Sequence, residues 1–306
     1  MPDPGKTLQN VLLGVFPELS PDSCTELFVR HFPQHQERVS RAIETLAGLL
    51  PSQTVRLLVE TCVVSPDPGA AISCLSELVQ AAPSSFRDVA PEQARRLASS
   101  LSGGAFLRER ILRHATRVFW LVDESGRTFS RPELEQEIAE TREGSAVWDA
   151  LRVWHDLHLM RIAVADCAGT LGIVEITEQL SLLAEVTINE VAQRQAQALR
   201  ARYGDPLQQD GANAEWCVIG LGKLGGNELN FRSDVDVMFV YSAEGYSTGG
   251  TSGAVPVAQW YSRWAEGILS VLTEVSSTGL LYRVDTRLRP DGQSGALVRS
   301  IASYVH

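Results

Sequence analysis

The chain has 306 residues, of which 44% are hydrophobic and 21% are charged, and its formal net charge is −10. This composition is typical of a soluble globular protein that is long enough for two or three domains. The acidic balance argues against a non-specific nucleic-acid binder, and there is neither a long apolar run nor a secretory signal, so we expect a cytoplasmic protein that does not span a membrane.

The first two thirds of the chain are predicted to be helical. Segments such as LSELVQAA and ARRLASSL carry apolar residues three and four positions apart, which is the spacing of one helix face. Ser130 precedes RPELEQEIAE and is a candidate helix cap, because a proline follows it near the first helical position. We assign residues 1–145 to an N-terminal helical region.

Residues 146–205 have a more continuous helical pattern. Two long periodic stretches meet near Gly172 and predict two long helices. Packed antiparallel, these helices would form a hairpin against the domain that follows. The polar stretch from Pro206 to Asn213 then predicts a linker.

The remaining residues, 206–306, are predicted to form a catalytic core. A helix is predicted at 256–277, after a flexible glycine-rich connection. Short runs rich in β-branched and aromatic residues predict three strands, at 216–221, 233–241 and 280–288. The fold class that follows is α+β, in which a largely helical N-terminal region precedes a mixed sheet with flanking helices.

A glycine motif follows the first predicted strand. Gly220, Gly222 and Gly225 spell G-x-G-x-x-G, the pattern of a dinucleotide-binding turn. A dinucleotide-binding unit needs a full helix after this turn, because the crossover must span the sheet. Only GGNELNFR separates the motif from the next strand, which disfavours an NAD-dependent oxidoreductase and favours another kind of phosphate-binding turn. Lys223 in this turn is either a phosphate contact or a surface lysine.

Three aspartates fall on the second and third predicted strands. Side chains alternate along a strand, so Asp234 and Asp236 share one face, and Asp285 shares a face with Arg283 and Arg287. Crowded carboxylates repel each other unless a divalent cation joins them, and arginine binds phosphate oxygens in pairs. The pattern indicates metal-dependent phosphoryl transfer. The alternative is an edge strand whose acidic side chains only face water.

Two sequence blocks resemble a known family. GLGKLGGNELNFRSDVDVMFVY and YRVDTRLRPDGQSGALVRS are similar to the signature blocks of the glutamine synthetase adenylyltransferase family. The stretch LMRIAVADCAGTLGIVEITEQLSLLAE resembles the segment before the first catalytic domain of that family, and residues 1–140 are a weaker match. Enzymes of this family attach AMP to a tyrosine of glutamine synthetase and remove it again. The resemblance therefore implies a polymerase-β-like nucleotidyltransferase domain.

The resemblance also implies roles for individual residues. Three aspartates would be catalytic and would hold two Mg²⁺ ions, for which Mn²⁺ could substitute: Asp234, Asp236 and Asp285. The surrounding residues would bind nucleotide and phosphate: Gly222, Lys223, Gly225, Gly226, Ser233, Arg287 and Arg289. For the two arginines, an ion pair with Asp285 or Asp291 is the alternative.

The direction of the reaction is implied by one residue. The family has two catalytic domains, the first associated with deadenylylation, and Asn230 after the Glu-Leu pair resembles the first. Inorganic phosphate would then attack AMP-tyrosine on glutamine synthetase and release ADP. ATP-dependent adenylylation of the same tyrosine, and a docking fragment without turnover, are the alternatives. The implied partners are glutamine synthetase, a PII-type signal protein, and ATP, ADP and phosphate.

Members of the family are much longer than this chain. We therefore expect these residues to be the amino-terminal portion of a bifunctional enzyme, truncated shortly after the third strand. A sheet face without its covering helices would leave the cleft wet, and so we expect weak nucleotide binding.

Overall fold

The computed structural model describes residues 13–14, 16–17, 36–140, 147–276, 279–289 and 295–305. The chain forms two compact units. The first comprises Met1–Arg127 and Met160–Gly172, and the second comprises Thr128–Leu159 and Ile173–His306. The division predicted from the sequence, at residues 145 and 205, stays a prediction.

The first unit is built from amphipathic helices. Each helix buries one face, and Leu58, Ile72 and Leu97 on these faces are at most 1% exposed. Pro68 and Pro91 occupy first helical positions, where the missing N–H has no intrahelical partner to lose. The α-helices are α1 (Gln36–Leu49), α2 (Ser52–Val63), α3 (Pro68–Ala81), α4 (Pro91–Ser102), α5 (Ala105–Arg113) and α6 (Val118–Glu124). Two short 3₁₀ helices lie at Pro83–Phe86 and Ala115–Arg117.

The helical prediction is confirmed for the described residues before Pro206, which contain helices and no strand. Helix α7 (Arg131–Glu140) begins directly after Ser130, whose backbone N and Oγ both bond Glu133 Oε2, at 2.8 and 2.7 Å. Helices α8 (Val147–Ala168) and α9 (Ile173–Tyr203) are the two long helices predicted to meet near Gly172. The residues of α8 from Met160 onward belong to the first unit.

A mixed four-stranded sheet forms the centre of the second unit. Strand β3 pairs antiparallel with β2 and parallel with both β5 and β6. A separate antiparallel pair, β1 and β4, lies in segments that were predicted to be a linker and a flexible connection, so those two predictions are wrong. The strands are β1 (Pro206–Gln208), β2 (Trp216–Leu221), β3 (Val235–Tyr241), β4 (Gly245–Ser247), β5 (Val284–Asp285) and β6 (Val298–Ser300).

The predicted strands agree with the observed strands to different extents. Strand β2 has the predicted bounds, whereas β3 begins two residues late and leaves Asp234 outside the strand. Strand β5 keeps only Val284 and Asp285 of the predicted 280–288, and a turn begins at Arg287. The remaining helices are α10 (Gly222–Gly225), α11 (Val257–Thr273) and α12 (Ala302–Val305), and α11 is shorter than the predicted 256–277.

One face of the sheet is covered by helices. Trp216, Val218 and Gly220 of β2 lie opposite Tyr241, Phe239 and Val237 of β3, and directly opposed residues in an antiparallel pair share a face. Trp264 of α11 packs against this face, with its ring centroid 4.8 Å from that of Trp216 and 5.6 Å from that of Phe239. The Trp264 indole N–H donates to Ala192 O of α9 at 2.9 Å, which fixes the two helices together.

The other face of the sheet is more open and carries Asp236, Met238, Cys217 and Ile219, each half-buried or exposed. The acidic side chains therefore project from the face opposite the aromatic core. None of the described helices combines the length and apolar content needed to cross a bilayer.

Candidate active site

The glycine turn is tightly folded against β3. Gly222 has φ 53°, and a Cβ atom there would lie 2.4 Å from Asp236 Oδ2. A Cβ atom on Gly225 would lie 2.6 Å from Gly220 O. A side chain at Gly222 would be strained by the positive φ and would displace the Asp236 carboxylate, whereas an added carbon at Gly225 would collide with backbone. The turn thus brings backbone of Gly222 against the Asp236 carboxylate.

This turn is not a dinucleotide-binding unit. The helix after it, α10, has four residues, and β3 runs antiparallel to β2. A dinucleotide-binding βαβ unit requires a parallel second strand reached by a full crossover helix. The geometry excludes that interpretation of the G-x-G-x-x-G pattern.

Asp236 and Asp285 are register partners on adjacent parallel strands. Leu221, the last residue of β2, pairs with Asp236 from the other side. Neighbouring strands lie about 4.8 Å apart, and residues paired in register project from the same face. The two carboxylates therefore lie side by side on the open face, next to the glycine turn.

Asp234 lies just before β3 and is exposed. Its Oδ1 is 3.4 Å from Arg283 Nε. The segments that carry Asp234 and Arg283 are hydrogen-bonded to each other, since Val235 N donates to Arg283 O at 2.9 Å. Asp234 thus stands two residues before Asp236 and approaches the same strand pair from its end.

Arg287 holds the Asp285 carboxylate. Its Nε lies 3.0 Å from Oδ1 and 2.8 Å from Oδ2, its Nη2 also bonds Oδ2, and its backbone N donates to Oδ1 at 2.8 Å. These hydrogen bonds lower the pKa of Asp285 to about 2. The pKa of Arg287 is raised, mainly by its hydrogen bond to Asp285 and further by the charges of Asp285, Asp234 and Asp236. The arginine therefore lies in the field of all three carboxylates.

Arg289 bonds the turn that follows β5. Its Nη1 donates to Thr286 O at 2.6 Å and to Thr286 Oγ1 at 2.7 Å, and its Nη2 reaches Gly295 O at 3.4 Å. These bonds tie together the turn after β5. Asp291, the alternative partner considered for the arginines, lies outside the described residues.

The other predicted phosphate contacts lie on the two loops beside the aspartates. Lys223 and Gly226 are exposed on the glycine turn, and Gly226 N donates to Gly222 O at 3.1 Å. Ser233 Oγ accepts from Asn230 N at 3.2 Å, and Ser233 N donates to Asn230 O at 3.0 Å. The Ser233 hydroxyl therefore stabilises its own turn in this conformation.

Residues 93–306 match the profile of the family described as Glutamate-ammonia ligase adenylyltransferase. The chain belongs to this family. It is similar to proteins named bifunctional glutamine synthetase adenylyltransferase/adenylyl-removing enzyme. The Pseudomonas aeruginosa protein is 29% identical over 292 residues, which cover 90% of this chain and 29% of that protein. The Burkholderia pseudomallei protein is 40% identical over 140 residues, which cover 46% of this chain and 15% of that protein.

The chain spans less than a third of the length of these relatives. The match to the Pseudomonas putida protein, 32% identical over 227 residues, covers 70% of this chain and 23% of that protein. Membership of the adenylyltransferase family agrees with the resemblance found in the two sequence blocks, and that prediction is confirmed. The mixed sheet with flanking helices confirms the predicted α+β fold class.

The acidic set suits a magnesium ion by its chemistry. Carboxylate oxygens are the hard ligands that Mg²⁺ prefers, and Asp236 and Asp285 already stand side by side. Within the described residues, however, no three His, Cys, Asp or Glu side chains converge as a ready metal site. Arginines hold Asp234 and Asp285 instead. Binding of the ion by these carboxylates would require the two arginines to release them.

Arg283 is the residue that the predicted site left out. The sequence places it on the same strand face as Asp285 and Arg287, but nothing in the alternation indicates that it contacts Asp234 on the neighbouring segment. The contact depends on the parallel pairing of Val235 with Val284, which brings the two segments together. Predicting the register between these two segments would have indicated the contact between Arg283 and Asp234.

Proposed function

We propose that this chain carries the deadenylylating site of a glutamine synthetase adenylyltransferase/adenylyl-removing enzyme. The supporting observation is the register pair of Asp236 and Asp285, set against the Gly222 turn on the open face of a mixed sheet. The substrate would be a glutamine synthetase tyrosine that carries AMP. An oxygen of inorganic phosphate bonds to the AMP phosphorus as the bond from phosphorus to the tyrosine oxygen breaks. The products are ADP and a free tyrosine hydroxyl, which receives a proton.

Three carboxylates would together bind the metal ions. Asp236 and Asp285 would bind Mg²⁺, or Mn²⁺ in its place, from adjacent strands, and Asp234 would add an oxygen from the loop before β3. When bound, the ions would neutralise charge on the phosphate oxygens and stabilise the pentacovalent arrangement at phosphorus. Gly222 contributes by leaving room, because any side chain there would displace the Asp236 carboxylate.

Arg287 would exchange its partner during the reaction. In the described structure Arg287 is paired with Asp285. The charges of the other two aspartates, Asp234 and Asp236, also act on it. Released from Asp285, its guanidinium can donate two parallel hydrogen bonds to a phosphate. Arg283 would do the same after leaving Asp234. Gly225, Gly226 and Lys223 would contact the nucleotide phosphates from the glycine turn, and Ser233 from the neighbouring loop. Arg289 would act after its bonds to Thr286 rearrange.

The partners follow from the same proposal. The names of the relatives contain both adenylyl transfer to glutamine synthetase and adenylyl removal. We propose glutamine synthetase as the protein substrate of this chain and a PII-type signal protein as its regulator. Asn230 after the Glu-Leu pair supports removal as the reaction of this domain.

The test uses AMP-modified glutamine synthetase as substrate. It is incubated with the chain, phosphate and Mg²⁺, and ADP release is measured. We expect phosphate-dependent ADP from the wild-type chain and none from Asp236→Asn. Asp210→Asn is the matched control, because it removes a charge in the turn after β1, where Asp210 Oδ1 accepts from Ala212 N at 3.0 Å, a bond that asparagine retains.

Two other outcomes would replace the proposal. Transfer of AMP from ATP to unmodified glutamine synthetase, without ADP release from the modified form, would identify an adenylylating site. Tight binding of glutamine synthetase with no AMP transfer in either direction would identify a docking segment.

A further inference from the structure

A cleft of about 780 Å³ lies away from the aspartates in the second unit. Ligand sites in proteins commonly measure about 300–1,000 Å³. It opens between the start of α8, the second half of α9 and the first residue of β2. Its lining includes two tryptophans and two arginines, together with polar residues of α9: Trp148, Trp216, Arg194, Arg200, Glu190 and Gln197. This mixture of flat apolar surfaces and cationic groups is typical of a site for an organic anion.

Arg194 is the central feature of the cleft. Its side chain is 13% exposed, and its Nε donates to Glu190 Oε1 at 2.7 Å. Its Cζ lies 5.7 Å from the Trp148 ring centroid, which is within cation–π range. The guanidinium is thereby held in one orientation by an ion pair on one side and an aromatic ring on the other.

The Nη2 atom of Arg194 is buried and, within the described part of the chain, has no hydrogen-bond partner. A buried cationic donor without an acceptor is expensive, and most such groups in folded proteins are satisfied. Glu190 Oε1 accepts from Nε, which lies on the same edge of the guanidinium as Nη2. An acceptor that enters the cleft and reaches this edge of Arg194 would satisfy the donor.

We propose that this cleft binds a small organic anion. A carboxylate of the ligand accepts from Arg194 Nη2, and a planar or apolar body lies against Trp216, which is half-buried at the edge of the sheet. Gln197 and Arg200 are exposed and form the rim. The alternative explanation is that ordered water in the cleft accepts the hydrogen bond from Arg194 Nη2.

The cleft is separate from the aspartates. It meets β2 at Trp216, the first residue of the strand, whereas the glycine turn follows its last residue, Leu221. Five strand residues span roughly 17 Å. Trp216 also projects from the helix-covered face, opposite the face that carries Asp236. A ligand in the cleft would therefore bind without touching the site of phosphoryl transfer.

The test compares two probes of nearly equal shape, benzoate and its neutral amide, benzamide. Calorimetric titration of the whole chain should show benzoate binding about tenfold or more tightly than benzamide, since hydrogen bonds to charged partners are the stronger ones. Glu190→Gln combined with Arg194→Gln removes both buried charges together and should abolish the preference. Gln197→Trp narrows the cleft from its exposed rim and should weaken both probes.

Matched controls separate this site from other arginines. Glu37→Gln with Arg41→Gln removes another pair of the same helical spacing, which is well exposed on α1, and should leave the preference unchanged. Asp236→Asn should also leave it unchanged. The proposal is overturned if the wild-type chain binds both probes equally or not at all. It is also overturned if the preference persists in the Glu190/Arg194 double variant, or if a folded Gln197→Trp variant binds benzoate as the wild type does.

Discussion

Replacing Gly222 by alanine tests the packing of the glycine turn against Asp236. Two penalties are expected. The residue has φ 53°, and an L-residue in this left-handed region costs about 1–2 kcal/mol. The new Cβ would also lie 2.4 Å from Asp236 Oδ2, a separation that real Cβ atoms essentially never show. Either the carboxylate or the turn must move.

Gly226→Ala is the matched control for this substitution. A Cβ atom on Gly226 would meet nothing closer than Gly222 O at 3.5 Å, and its φ is −89°. We expect Gly222→Ala to lower the free energy of unfolding by about 1–2 kcal/mol relative to Gly226→Ala. Urea denaturation followed by tryptophan fluorescence measures the difference, because Trp216, Trp260 and Trp264 lie in the same unit as the turn. Equal stability of the two variants would show that the turn is not packed as described.

Three further predictions concern the carboxylates and the aromatic core. Asp236→Asn should leave the metal-free melting temperature equal to or above that of the wild type, because like charges no longer repel, and should abolish any rise on adding Mg²⁺; a metal-free melting temperature well below the wild type would contradict it. The pKa of Asp285 is lowered to about 2 by Arg287, so the stability from this pair is present at neutral pH and is lost as the pH falls from the unfolded value toward about 2. Arg287→Gln should move that pKa, followed by NMR, back toward the ordinary value of 3.8, and an unmoved titration would refute the pairing. Trp264→Ala should cost about 3–5 kcal/mol in urea unfolding, since the side chain is 0% exposed, and a loss below about 1 kcal/mol would contradict its place in the core.

The parts of the fold that follow from local pattern were predictable. Strand β2 and most of β3 are runs of apolar, β-branched and aromatic residues. The sequence therefore predicted the bounds of β2 correctly, and it placed the start of β3 two residues too early, so that Asp234 was included. Helices α8 and α9 are long and periodic, so their meeting point near Gly172 was visible. The alternation that places Asp236 on the face opposite Val235 and Val237 also follows from sequence alone.

The parts that depend on distant pairing were not predictable. Strand β6 has three residues. It forms because Val298 to Ser300 pair in parallel with β3, on the side of β3 that β2 does not occupy. Strands β1 and β4 lie in segments rich in glycine and polar residues, and they pair with each other although β2 and β3 lie between them in the sequence. Arg287 and Arg289 are two residues apart and look equivalent, yet one bonds Asp285 and the other bonds Thr286. That difference depends on the turn after β5, which residue types alone do not specify.

The most direct measurement of the proposed function follows the phosphorus atom. AMP-modified glutamine synthetase is incubated with the chain, Mg²⁺ and ³²P-labelled inorganic phosphate, and the nucleotides are separated. Phosphorolysis predicts that the label appears as the β-phosphate of ADP, with Asp236→Asn giving none. Release of unlabelled AMP, or label that remains entirely in inorganic phosphate while the tyrosine stays modified, would contradict the proposal.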